Sequence, residues 1–97
     1  MYEIIFYQDI NGKEPFSKWL DSLSRSNGER ALSKLYKIQS GNLGDVKSIG
    51  GGVCEFRLFF DKGVRIYFGK DGTRIIVLLC GGDKSTQKDD IKKAKQY

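Results

Sequence analysis

The stretch "CEFRLFFDKGVRIYFGKDGTRIIVLLC", residues 54–80, constrains this chain more than any other part of it. Apolar and polar residues alternate with period two, break at "DKG", alternate again, break at "DG", and end in an unbroken apolar run. Period two puts successive side chains on opposite faces of a strand. The pattern therefore predicts a hairpin followed by a further strand. Cys54, Phe56, Leu58 and Phe60 share one face, and Val53, Glu55, Arg57 and Phe59 the other. A three-residue loop, Asp61-Lys62-Gly63, predicts pairing of Phe60 with Val64, Leu58 with Ile66 and Arg57 with Tyr67. Arg65 then stands opposite Phe59, diagonal to Arg57. Asp71-Gly72 is a second tight turn. The unalternating "RIIVLLC" reads as a strand covered on both faces.

The flanking segments supply the covers. "YEIIFY", residues 2–7, reads as a first strand, and "DINGKEP" as a turn. Pro15 suits the first position of a helix, where its missing N–H costs nothing. Phe16, Trp19, Leu20 and Leu23 recur at helical spacing. Ser26 and Glu29 have capping-box spacing for a second helix, with Ala31, Leu32, Leu35 and Ile38 as its apolar stripe and Gly41-Asn42 as its C-terminal stop. "GNLGDVKSIGGG" lacks the strand-loop-helix context and the GK[ST] ending of a phosphate loop. It reads instead as a short strand near 46–49 and a glycine bend. A last helix begins near Thr86, with Ile91 and Ala94 inward and Lys88, Lys92, Lys93 and Lys95 outward. The fold expected is α+β in one domain, residues 1–97. It has a mainly antiparallel twisted sheet of about four to five strands, two N-terminal helices on one face and a C-terminal helix.

Composition narrows the function. The chain of 97 residues has no histidine and two cysteines. Serine-histidine and cysteine-histidine nucleophiles are excluded, and two cysteines without histidine make no zinc site. No metal and no cofactor is expected. No apolar run approaches the ~18 residues of a membrane span, and the start of the chain reads as a strand rather than a leader. A reduced cytoplasmic protein without membrane contact is expected, its cysteines small buried thiols. Residues 1–23 carry four acids and two bases; the remainder carries eight acids and fifteen bases. That asymmetry favours a polyanionic partner.

What remains for chemistry is a cationic-aromatic cluster: Arg57, Arg65 and Tyr67, with Glu55 alongside and Lys84 after the last strand. Guanidinium groups bind phosphate oxygens and stabilise a pentavalent phosphorus. A tyrosine stacks on a base. Glu55 or a lysine of depressed pKa suits the proton of a ribose 2′-hydroxyl, and another lysine the leaving oxygen. Lys47, Lys88 and Lys92 are candidate RNA contacts around this set. The plainer interpretation of the same residues is a cross-strand salt-bridge ladder on a wet sheet face.

The segments "GGGVCEFRLFF", "VRIYF" and "CGGDKSTQKDDIKKA", with "EPFSKWLDSL" before them, resemble the HigB-like addiction-module toxins of the RelE/ParE superfamily, the phage-derived group. The resemblance covers nearly the whole chain. It implies the toxin of a type II toxin–antitoxin system, bacterial or prophage-encoded, with a HigA-like helix-turn-helix antitoxin as partner. It also implies ribosome-dependent, metal-independent cleavage of mRNA, so ribosome and message are expected partners. The ParE branch implies inhibition of DNA gyrase instead, and a non-catalytic basic module is a third alternative. By resemblance, Arg57 and Arg65 match the two sheet arginines of the RNA-cleaving branches, Glu55 a proposed general base, and Lys84 an acid-base or phosphate-binding position. Several active relatives use a C-terminal histidine or tyrosine, for which only Tyr97 stands here.

Overall fold

The computed structural model describes residues 2–59, 63–73 and 75–97. The alternating segments form strands and the 3.6-period segments helices. β1 (Glu3–Phe6) leads into α1 (Pro15–Ser22) and α2 (Arg25–Gln39). Then come β2 (Val46–Gly50), β3 (Val53–Arg57), β4 (Arg65–Asp71), β5 (Ile75–Gly82) and α3 (Gln87–Gln96). The five strands make one sheet in the order β1-β5-β4-β3-β2. β2 to β5 form an antiparallel meander, which walks back across the sheet until β5 lies beside β1 and parallel to it. The expected α+β architecture is the one observed.

β5 explains its lack of alternation by its position. Ile76 and Leu78 are buried in a core with Phe16, Leu35, Ile38, Phe56, Ile66 and Phe68, beneath α1 and α2. Leu79 and Cys80 are buried in a second cluster with Val53, Tyr67 and Ala94, beneath α3. Both faces of the sheet are thus covered, and helical covers on both sides demand apolar residues in both registers. Cys54 packs against the first cluster and Cys80 belongs to the second, so the two free thiols are held apart by the sheet.

Several local expectations shift. α2 is capped by Ser24, whose side chain accepts a hydrogen bond from the Asn27 N–H at 3.2 Å, so Ser26 lies inside the first turn. The link from α1 is only Leu23 and Ser24, and this short connection selects the earlier serine. Leu32 is 44% exposed, whereas Ala31, Leu35 and Ile38 are buried. α2 ends as foreseen at Gly41. The N–H groups of Gly41 and Asn42 bond to Ile38 and Lys37 carbonyls, and Gly41 has φ 101°, which favours glycine.

The hairpin register also differs. Arg57 pairs with Arg65, Glu55 with Tyr67 and Phe56 with Ile66, and the Leu58 N–H bonds to the Val64 carbonyl. The expected pairing of Leu58 with Ile66 and Arg57 with Tyr67 is therefore replaced by one shifted by two residues. A shift of two keeps every side chain on its face, so the hydrophobic pattern does not distinguish the two registers. The connection is longer than three residues. Phe60, Asp61 and Lys62 of the expected loop and its first pair lie outside the described residues.

Candidate functional site

The site grows from the β3–β4 ladder and from the turn that leads β5 into α3. Across β2, β3, β4 and β5 runs a row of partners, Lys47, Glu55, Tyr67 and Cys80; beside it Arg57, Arg65 and Gly82 form another. Cross-strand partners share a face. Glu55, Arg57, Arg65 and Tyr67 therefore stand on the α3 side of the sheet, as the alternation requires.

α3 decides what this face offers. Tyr67 is wholly buried under it and Glu55 is 1% exposed. Glu55 lies 3.8 Å from the Arg65 Nε and 3.5 Å from the Gln87 amide, which donates to it. Arg65 donates from Nη1 to the Gly63 carbonyl at 2.7 Å. The Arg65 Nε and the Tyr67 hydroxyl are buried without a hydrogen-bond partner. Burial first, then the charges of Glu55 and Asp90, push the Tyr67 phenol well above its ordinary value. The base-stacking role expected of Tyr67 is thus corrected: its ring is a core element with no exposed surface. Glu55 is likewise an ion-pair partner under a helix, not a carboxylate open to a 2′-hydroxyl. The cause is α3, whose inward Ile91 and Ala94, foreseen from the sequence, cover the middle of this face.

Arg57 behaves differently. Its guanidinium turns toward the loop before β2, where Nε and Nη2 donate to one oxygen of Asp45 at 3.2 and 3.1 Å. Its side chain remains 40% exposed. Lys84 is exposed in the Asp83–Thr86 turn. Its Cβ lies beside Gly63, so the lysine stem neighbours the Arg65 end of the hairpin. Lys47, Lys88 and Lys92 are exposed on β2 and α3. The structure thus brings Glu55, Arg65, Tyr67 and the Lys84 turn together, and it separates Arg57 from them.

The turn into α3 is built by two glycines. A Cβ on Gly81 would fall within the Trp19 ring, and one on Gly82 on the Asp90 carboxylate. Asp90 accepts from the Thr86 hydroxyl, and burial raises its pKa despite that bond. The closeness of backbone to Trp19 and Asp90 is what "CGGD" encodes. Among the described residues no group of three or more His, Cys, Asp or Glu side chains is gathered as metal ligands. No helix among them is long and apolar enough to cross a membrane.

A small α+β chain with a five-stranded sheet, helices on both faces and arginines at the loop end of a hairpin defines a class of compact basic proteins. Residues 18–97 match the family described as Phage derived protein Gp49-like (DUF891). A protein of Haemophilus influenzae is 40% identical over 81 residues, which cover 82% of this chain and 82% of the relative. The chain belongs to the Gp49-like phage-derived family.

Proposed function

We propose that this protein is the toxin of a type II toxin–antitoxin module and cleaves mRNA on the translating ribosome. The observation that carries this reading is the pair of arginines facing each other where β3 and β4 meet their connecting loop, on a Gp49-like chain whose residues beyond 23 carry fifteen bases against eight acids. The RNA supplies its own nucleophile. Its 2′-oxygen attacks the adjacent phosphorus, the bond to the 5′-oxygen breaks, and a cyclic phosphate and a 5′-hydroxyl result. Arg57, the more exposed guanidinium, meets the phosphate, and Arg65 adds positive potential from behind. Glu55 acts through Arg65 by holding its guanidinium. A lysine in its neutral form takes the 2′ proton, and Lys84 protonates the leaving oxygen. The ribosome orients the message, which lowers what the protein itself must contribute.

Induced expression followed by mapping of mRNA 5′ ends tests this. In-frame cuts that vanish when translation is blocked, and that are lost in Arg57→Ala, are the expected result. Intact message in arrested cells sinks the nuclease and favours gyrase, to be checked by supercoiling assay. The burial of Glu55 and Tyr67 favours one second reading, a binding module without catalysis. Its mark is expression without arrest together with tight binding of a HigA-like antitoxin.

A further inference from the structure

Where α2 and the loop before β2 meet the end of β3 there is an open pocket of about 430 Å³ that the hairpin arginine shares with α2. Arg30, Lys34 and Lys37 line it from α2, Asp45 from the loop before β2, and Arg57 and Phe59 from the end of β3. The three α2 cations are spaced i, i+4 and i+7, which places them on one side of the helix. They lie off its apolar stripe, which is why the sequence pattern leaves them as solvated charge.

Three observations make this more than a charged surface. The lining has four cations and one acid, and that acid, Asp45, is already engaged by Arg57. Lys34 is fixed rather than waving in solvent. Its ammonium donates to the Leu43 carbonyl at 2.7 Å and sits 5.3 Å above the Phe56 ring. A Cβ on Gly44 would fall on that ammonium, so the loop closes tightly over it. Burial and the neighbouring charge of Lys37 lower the Lys34 pKa, with Asp45 opposing. Finally, Phe59 stands at the lip, 84% exposed, with no core to serve. A cationic groove edged by an exposed aromatic ring is the arrangement that holds a single strand, phosphates in the groove and a base on the ring.

We propose that this pocket binds single-stranded RNA, with the phosphate next to the one that Arg57 meets held at Lys34 and Lys37 and a base stacked on Phe59. The inference rests on and deepens the proposed nuclease reading by extending the hold on the message from Arg57 along α2. It is tested without ribosomes or cleavage.

The probe is a fluorescein-labelled single-stranded RNA of about ten nucleotides, followed by anisotropy across a salt series. The wild-type chain binds at low salt. The Lys34→Gln/Lys37→Gln double variant loses about tenfold in affinity, and its salt slope becomes shallower by about 0.7 for each phosphate contact removed. Phe59→Ala, a change at an exposed position that leaves the fold untouched, loses at least about fivefold with an unchanged slope. Lys13→Gln/Lys18→Gln, which removes the same two charges outside the pocket, changes affinity less than about twofold. Wild-type affinity in both pocket variants overturns the inference, as does an equal loss in Lys13→Gln/Lys18→Gln or no binding by wild type. A chain that binds in this way yet leaves every message intact keeps the pocket and refutes the nuclease. A chain that cuts message while its pocket variants bind RNA normally does the reverse.

Discussion

Arg57 and Arg65 stand opposite each other across β3 and β4, and each turns its guanidinium to a different carboxylate. Like charges directly opposed on a sheet repel. The Arg57 N–H bonds outward to Asp45, which makes this the closer, non-hydrogen-bonded kind of pair. Asp45 and Glu55 draw the two side chains apart. One arginine is left half in solvent and the other under α3.

The two arginines therefore respond differently to removal. Arg65→Ala strands Glu55, 1% exposed, without its cation, and is expected to cost on the order of 3 kcal/mol. Arg57→Ala breaks an exposed pair and costs about 0–1 kcal/mol. Urea unfolding of both variants checks this, and Arg65→Ala/Glu55→Gln recovers part of the loss. Equal midpoints for the two single variants contradict the assignment. For activity, Arg57→Ala is the cleaner test, since it stays folded.

Tyr67→Phe removes a buried hydroxyl that has no hydrogen-bond partner. The expected outcome is unchanged or higher stability, by about 1 kcal/mol. The pH dependence has a definite sign. The folded phenol holds its proton above the ordinary value of 10.0, so the folded chain binds more protons than the unfolded one there. Stability falls as pH rises above about 10, and Tyr67→Phe lessens that fall. Denaturation midpoints at pH 8 and pH 10.5 measure it; a steeper alkaline loss in the variant speaks against it.

Gly81→Ala places a methyl group in the Trp19 ring. Trp19 cannot move without disturbing Phe16, whose ring centroid is 5.5 Å away. A loss of about 1–3 kcal/mol is expected, as for overpacked cores generally. Thermal unfolding with Trp19 fluorescence reads both the loss and the displaced ring. A variant of native stability and unchanged spectrum would show that the turn is slack.

The thiols separate by environment. Burial, with the charge of Asp90, pushes Cys80 up to about 12, and its Sγ donates to the Asp90 carbonyl at 3.8 Å. Cys54 is half-buried on the other face. Alkylation of the native chain at pH 8, followed by peptide mapping, is expected to label Cys54 and spare Cys80. Oxidation yields no intramolecular disulfide. Rapid labelling of Cys80 would show that α3 opens readily.

The residues of the sheet were legible as residues because period two is a local property. Each strand carries its own record of which side chains face which way, and a shift of two in the hairpin leaves that record unchanged. The apolar run of β5 likewise announced a strand covered twice, because both of its faces are written in one segment. Which polar face stays wet is not local. Ile91 and Ala94 are two apolar positions in a lysine-rich helix, yet docking α3 on them buries Tyr67 and Glu55 and turns a presumed ligand surface partly into core. The direction of Arg57 depends on Asp45, twelve residues away, and the pocket it enters depends on α2 lying across the sheet from another part of the chain. By itself the sequence determined the class of fold, the strand faces and the cationic character. Tertiary structure alone decided which charges are neutralised and which remain exposed, because long-range packing sets solvent access and partner distance together.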